Sequence, residues 1–297
     1  MAFQAAAAAD FLVIVFEAAY GIKRQERALF DELRALGKPF VVVLNKMDLV
    51  ANRDQQAVLE AAARNLEIEP LRIIPTVATD GTNIARIVVA IAELEPGLLA
   101  ALADAMPHYR ARLAWARITP AAAAAATVAL FPLPLADIIP LLAIQTGMVL
   151  TIARIYGYEI TASRAKELIA AFGLGFLART LYRELAKFLG LPGWLLSAGI
   201  AASATVAMGY AAMVWFESGE WPSRATLQKV MRDVTLYLRD RLASLGAGRP
   251  DQGTLRERVQ AALNDLPSHL PLLSRPSPAS EPSGSVTPHG MQPTSPV

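Results

Sequence analysis

The chain has 297 residues, a formal net charge of +2 and a hydrophobic fraction of 54%. That length holds two domains and a sizeable core, and so small a charge gives no electrostatic case for nucleic acid as a partner. Cysteine is absent, which excludes disulfides and thiolate-bound metal. The histidines, His108, His269 and His289, stand apart from one another, so no metal site is expected.

Met1 to Ala9 is alanine-rich without a basic leader region, and neither a signal peptide nor a regular element is expected there. Asp10 to Glu17 reads as a buried strand. Ile22, Leu29, Leu33 and Leu36 then share one helix face, which Gly37 ends and Pro39 follows. Phe40-Val41-Val42-Val43-Leu44 is apolar throughout with three β-branched valines at its centre, the pattern of a parallel strand buried on both faces. It stops abruptly at Asn45-Lys46-Met47-Asp48, at the carboxyl end where open α/β sheets bind ligands. A helix after Asn52 carries Val58, Leu59, Ala62 and Leu66. A third strand, Arg72 to Thr76, leads through the loop Val77 to Asn83 into a helix with Ile84, Ile87, Val88, Ile91 and Leu94. This order of strands and helices predicts a parallel sheet with right-handed crossovers.

The strand end carries specific chemistry. A carboxylate such as Asp48 can accept parallel hydrogen bonds from N1-H and N2-H of guanine, an edge that adenine lacks. Asn45 can serve O6 and N7, and Lys46 can lay its stem along the purine face. Asn-Lys-x-Asp alone also falls on ordinary loops; the buried strand before it and the loop Val77-Ala78-Thr79-Asp80-Gly81 set it apart. On these residues the sequence resembles the translation-factor-like GTPases of the Era type. Their second base-contacting loop is usually Ser-Ala-Lys followed by Gly; this chain keeps Ala78 and Gly81 but has Val77 and Thr79. The resemblance implies GTP or GDP as ligand, guanine contacts from Asn45, Lys46, Asp48 and the Ala78 backbone N-H, and a partial P-loop GTPase-type sheet.

Two other family elements are missing from the sequence. The only Gly-Lys pair is Gly37-Lys38, without the spacing of Gly-x-x-x-x-Gly-Lys-Ser/Thr, and no Asp is followed three residues later by Gly. The phosphate cradle and the Mg²⁺ ligands are therefore not expected. Since phosphate and metal contacts supply most of the affinity and essentially all of the catalysis, guanine affinity no better than roughly millimolar is expected, with no catalytic residue and no hydrolysis. The resemblance also implies half a domain ahead of Asp10. The expectation is a truncated product or a mis-set start codon, or else a protein partner or self-association at the strand 10–17.

Beyond Met106-Pro107 the pattern becomes helical, alanine-rich and apolar. Between Ile118 and Ala153 the only charge is Asp137, and from Phe188 to Phe216 there is none. The second stretch exceeds the roughly twenty residues that span hydrocarbon. The first is broken at Pro132 and Pro134, which suits a hairpin. Flanking arginines and lysines fit attachment at the cytoplasmic face of a membrane; the other reading is a soluble bundle whose alanine-rich helices are buried all round. Gly199 with Ser203, and Thr205 with Gly209, predict close helix approach. Asp137 is expected to cap the next helix and Gln145 to bond a neighbour. The succession Phe131-Pro132-x-Pro134-x-Ala136-Asp137, Ile144-Gln145, Tyr156-Gly157, Pro192-Gly193 and Ala204-Thr205-x-Ala207-x-Gly209 resembles the YcjF-like domain of unknown function 697. That implies a bacterial GTPase-associated helical domain.

An amphipathic helix from Ser223 carries Leu227, Val230, Val234, Leu238, Leu242 and Leu245 on one face, suited to the bundle or to a membrane surface. Thr254 with Glu257 predicts a capping box for one more helix, before a Pro- and Ser-rich tail read as disordered. The expected fold is an α/β half-domain over residues 1–105, an all-α apolar domain over 106–245, and a short helix with a tail over 246–297. Three functional readings stay open: a membrane-attached GTP-binding protein, a non-catalytic interaction module with a relic nucleotide motif, or a fragment of an active GTPase.

Overall fold

The computed structural model describes residues 2–130, 138–172, 192–246 and 248–266. The first element is a helix, α1 (Ala2–Ala8), where no regular element was expected; alanine, the best helix former, makes up most of it. Three strands follow, β1 (Leu12–Glu17), β2 (Phe40–Asn45) and β3 (Ile73–Pro75), in a parallel sheet of order β1-β2-β3. The register sets Glu17 beside Asn45 and Leu44 beside Pro75.

Successive side chains of β2 point to opposite faces, and both faces are covered. Val42 and Leu44 pack with Phe16, Phe30 and Leu66, the last two supplied by α2 (Arg24–Ala35) and α3 (Gln55–Leu66). Val41 and Val43 pack with Ile74 and with Ile91 of α4 (Ile84–Leu94). In α2 the buried anchor is Phe30, not the expected Leu29, which is exposed. Phe30 sits between Phe16 and Phe40, with ring centroids 6.2 and 5.7 Å away, so aromatic packing fixes the helix rotation. As expected, the chain turns after α2 at Gly37, whose φ of 66° costs glycine little.

β1 departs from the expectation of a wholly buried strand. Leu12 and Phe16 are buried, but Val13 and Val15 are 40% and 57% exposed. The cause is coverage: α4 reaches over β2 and β3, and no described element covers the Val13/Val15 face.

The remaining chain is helical: α5 (Leu99–Ala105), α6 (Arg110–Val128), α7 (Ile138–Ile155), α8 (Ala162–Phe172), α9 (Gly193–Ser218), α10 (Arg224–Leu242) and α11 (Gln252–Asn264). α9 is the central helix, packed by α6, α7 and α10, while α11 lies along α6. One apolar core runs from Val88 and Ala92 of α4 through the bundle to Leu266. α4 thus belongs to both parts of the chain, with Ile91 on the sheet and Val88 and Ala92 in the helical core.

α10 turns its apolar stripe onto the bundle, and its cap is Ser223, whose hydroxyl accepts from Thr226 N-H at 3.1 Å. The last helix is capped by Asp251, which accepts from Thr254 N-H at 2.9 Å, and not by the expected Thr254 box. A carboxylate is the stronger acceptor at a helix start, so the helix begins earlier. Asp137 and the Pro132/Pro134 break lie outside the described residues, as does the tail.

Candidate functional site

The site is built at the carboxyl ends of β2 and β3. β2 ends in Asn45, and Lys46 then takes the left-handed conformation, φ 62°, which turns the chain into the short 3-10 turn Met47–Leu49. A non-glycine residue at positive φ is uncommon and marks a constrained position. Thr76 ties the two strand ends together: its N-H donates to Leu44 O at 2.9 Å and its carbonyl accepts from Met47 N-H at 3.1 Å. Gln55 Nε2 steadies the turn from α3, donating to Met47 O at 3.2 Å.

Asn45 Oδ1 accepts from Ala78 N-H at 3.1 Å and from the Thr76 hydroxyl at 3.3 Å. The structure therefore brings the Asn-Lys-x-Asp strand end and the second loop into direct contact. The Asn45 amino group, with amide orientation assigned from the bonds to its oxygen, makes no hydrogen bond among the described residues. Asp48 is exposed on the 3-10 turn, with no ion pair among the described residues. Lys46 Nζ pairs with Glu17 Oε1 at 3.0 Å.

The loop after β3 is closed on itself. Val77 and Thr82 form an antiparallel bridge, Val77 N-H donating to Thr82 O at 3.3 Å. Asp80 Oδ1 accepts from Thr82 N-H at 2.8 Å, and the Thr82 hydroxyl and N-H together hold the Asp80 carboxyl below its usual range. Asn83, at φ 62°, donates from Nδ2 to Pro75 O at 2.8 Å and so anchors the start of α4. Ala78 is exposed at the head of this loop.

The residues present fit a guanine edge chemically. Ala78 N-H already meets an amide oxygen, the same acceptor type as guanine O6, and Asp48 offers two free acceptors to N1-H and N2-H. A base would take over or share the bond from Ala78 that Asn45 now holds. A cleft of about 1450 Å³ between α4 and α6 borders the same loop through Asp80 to Asn83 but contains neither Asn45 nor Asp48. Glu17, Thr76, Gln55 and Asn83 had not been singled out in the sequence. Glu17 alone carried a signal, as the last residue of the strand beside β2.

A parallel sheet whose strand ends present Asn45, Lys46, Asp48 and Ala78, followed by an apolar helical bundle, has the form of a GTP-binding α/β unit joined to a helical domain. Residues 2–108 match the family model of the Elongation factor Tu GTP binding domain, and residues 109–240 match that of a domain of unknown function, DUF697. No curated protein and no solved structure matches the chain.

Proposed function

We propose that this chain recognises guanine through Asn45, Lys46, Asp48 and Ala78, binding GDP or GTP weakly and without hydrolysis, and that its helical domain is the module the nucleotide unit serves. The observation that carries the reading is the pair of bonds to Asn45 Oδ1, which join both base-contacting segments at one strand end. The reading without hydrolysis is supported by the lack of Gly-x-x-x-x-Gly-Lys-Ser/Thr and Asp-x-x-Gly among these 297 residues. The Era-type and YcjF-like resemblances support the same division, a nucleotide unit over 1–105, a helical domain over 106–245 and a tail over 246–297.

The test is a change of base preference. Asp48→Asn replaces two acceptors by one acceptor and one donor, which suits the N1-H and C2=O edge of xanthine. The variant is expected to lose guanine nucleotide affinity by about tenfold or more and to gain affinity for xanthosine diphosphate. Unchanged preference for GDP would refute the reading.

Attachment to a membrane rests on α9, the helix among the described residues long and apolar enough to cross one, with a mean hydropathy of 1.5 over its best window. Of that window 78% is buried inside the protein, which supports α9 as the core of the bundle instead. A protein partner at β1 has its own support in the exposed Val13 and Val15.

A further inference from the structure

We infer that Glu17 is the positioning residue that holds Lys46 as the platform for the purine ring, an inference that rests on the guanine-site reading above. A lysine stem has four rotatable bonds, and ordering it against a flat base costs rotamer entropy when nothing holds it beforehand. Here something does. The register of the sheet places Glu17 directly beside Asn45, one residue before Lys46. Lys46 then adopts φ 62°, and its ammonium reaches back to Glu17 Oε1 at 3.0 Å. The stem is fixed at both ends, at a constrained backbone and at a carboxylate on the neighbouring strand.

As a contributor to stability this pair is weak. Both side chains reach solvent, 52% exposed for Lys46 and 33% for Glu17, and exposed ion pairs are worth little. Its location is what gives it a role: the pair spans the ends of β1 and β2 at Asn45, three residues before Asp48. No other described carboxylate reaches the Lys46 ammonium. The 3-10 turn Ala18–Tyr20, which continues β1, packs against the turn Met47–Leu49. Glu17 is thus joined to the turn after Asn45 by packing of its own following turn as well as by the ion pair. Preordering of this kind improves binding by removing an ordering cost, without adding a contact to the ligand.

The test is a double-mutant cycle on nucleotide binding with the full chain, using GDP, inosine diphosphate and ADP as probes, with thermal midpoints measured in parallel. Glu17→Gln and Lys46→Ala are each expected to weaken GDP binding about threefold to tenfold, and the double variant is expected to be no weaker than Lys46→Ala alone. Glu17→Asp, which keeps the charge, is expected to recover part of the loss. The midpoint of Glu17→Gln should stay within about 1 °C of the parent, as for an exposed pair. Additive losses, or GDP binding untouched in Glu17→Gln while Asp48→Ala abolishes it, would overturn the role of Glu17 and leave the guanine site standing. A parent chain that binds all three nucleotides alike, or none, would overturn both.

Discussion

Asn45 is held by two hydrogen bonds and Gly209 by one close neighbour. The Asn45 amide oxygen serves two donors from the loop after β3, so Asn45→Ala would leave the Ala78 N-H and the Thr76 hydroxyl without that acceptor. Gly209 in α9 has no room for a side chain: a Cβ there would stand 2.5 Å from Ile118 Cγ1 of α6. Gly209→Ala is therefore expected to destabilise the protein by about 1–3 kcal/mol through overpacking, read as a lower denaturation midpoint in urea. Gly199→Ala, at a site where an added Cβ meets nothing within 4 Å, is expected to be neutral or mildly stabilising. The small-residue spacing predicted close approach at both glycines, and only Gly209 has it. In the other pair Ser203 has a polar purpose, its hydroxyl lying 2.8 Å from that of Thr235 in α10. Gln145 reaches Thr205 as expected, at a long 3.4 Å.

α4 decides how the two parts of the chain meet. It begins at Asn83, tied to Pro75, and ends against α6, where Arg117 donates to Ala92 O at 2.9 Å. Glu93 lies at this joint; burial of its carboxyl pushes its pKa above the usual glutamate range, with the nearby Arg117 charge acting in the opposite direction. A carboxyl raised in the folded state contributes stability that is full below its unfolded pKa and lost as pH rises through the folded value. Glu93→Gln is thus expected to raise the thermal midpoint near pH 7, with the gain vanishing below about pH 4.3, the ordinary glutamate value. A gain independent of pH would contradict this account of the joint. Arg117→Met removes the bond to Ala92 O and the compensating charge together, and is expected to lower stability with a larger loss near pH 7 than in acid. None of this was legible in the sequence, because Arg117 and Ala92 are distant in the chain and show no periodic signal. The β2 strand, its parallel partners and the Ser223 cap were legible, since each follows from local pattern. The rotation of α2 was not, because tertiary aromatic packing chose Phe30 over Leu29.

At the scale of the whole molecule, one core joins the nucleotide-type unit to the helical bundle through Val88 and Ala92, so the two parts should unfold together. Of the apolar sequence that suggested a membrane, 78% of the best stretch of α9 is buried inside this bundle. If α9 is the bundle core, the purified chain should stay in solution without detergent and fail to float with anionic phospholipid vesicles; flotation resistant to high salt would show lipid insertion instead. Base recognition is tested most directly by titrating the chain with GDP and with ADP and following backbone amide shifts at Asn45, Asp48 and Ala78. Guanine recognition by these residues predicts saturable shifts with GDP at roughly millimolar concentration and none with ADP. Equal shifts with both nucleotides, or none with either, would contradict it.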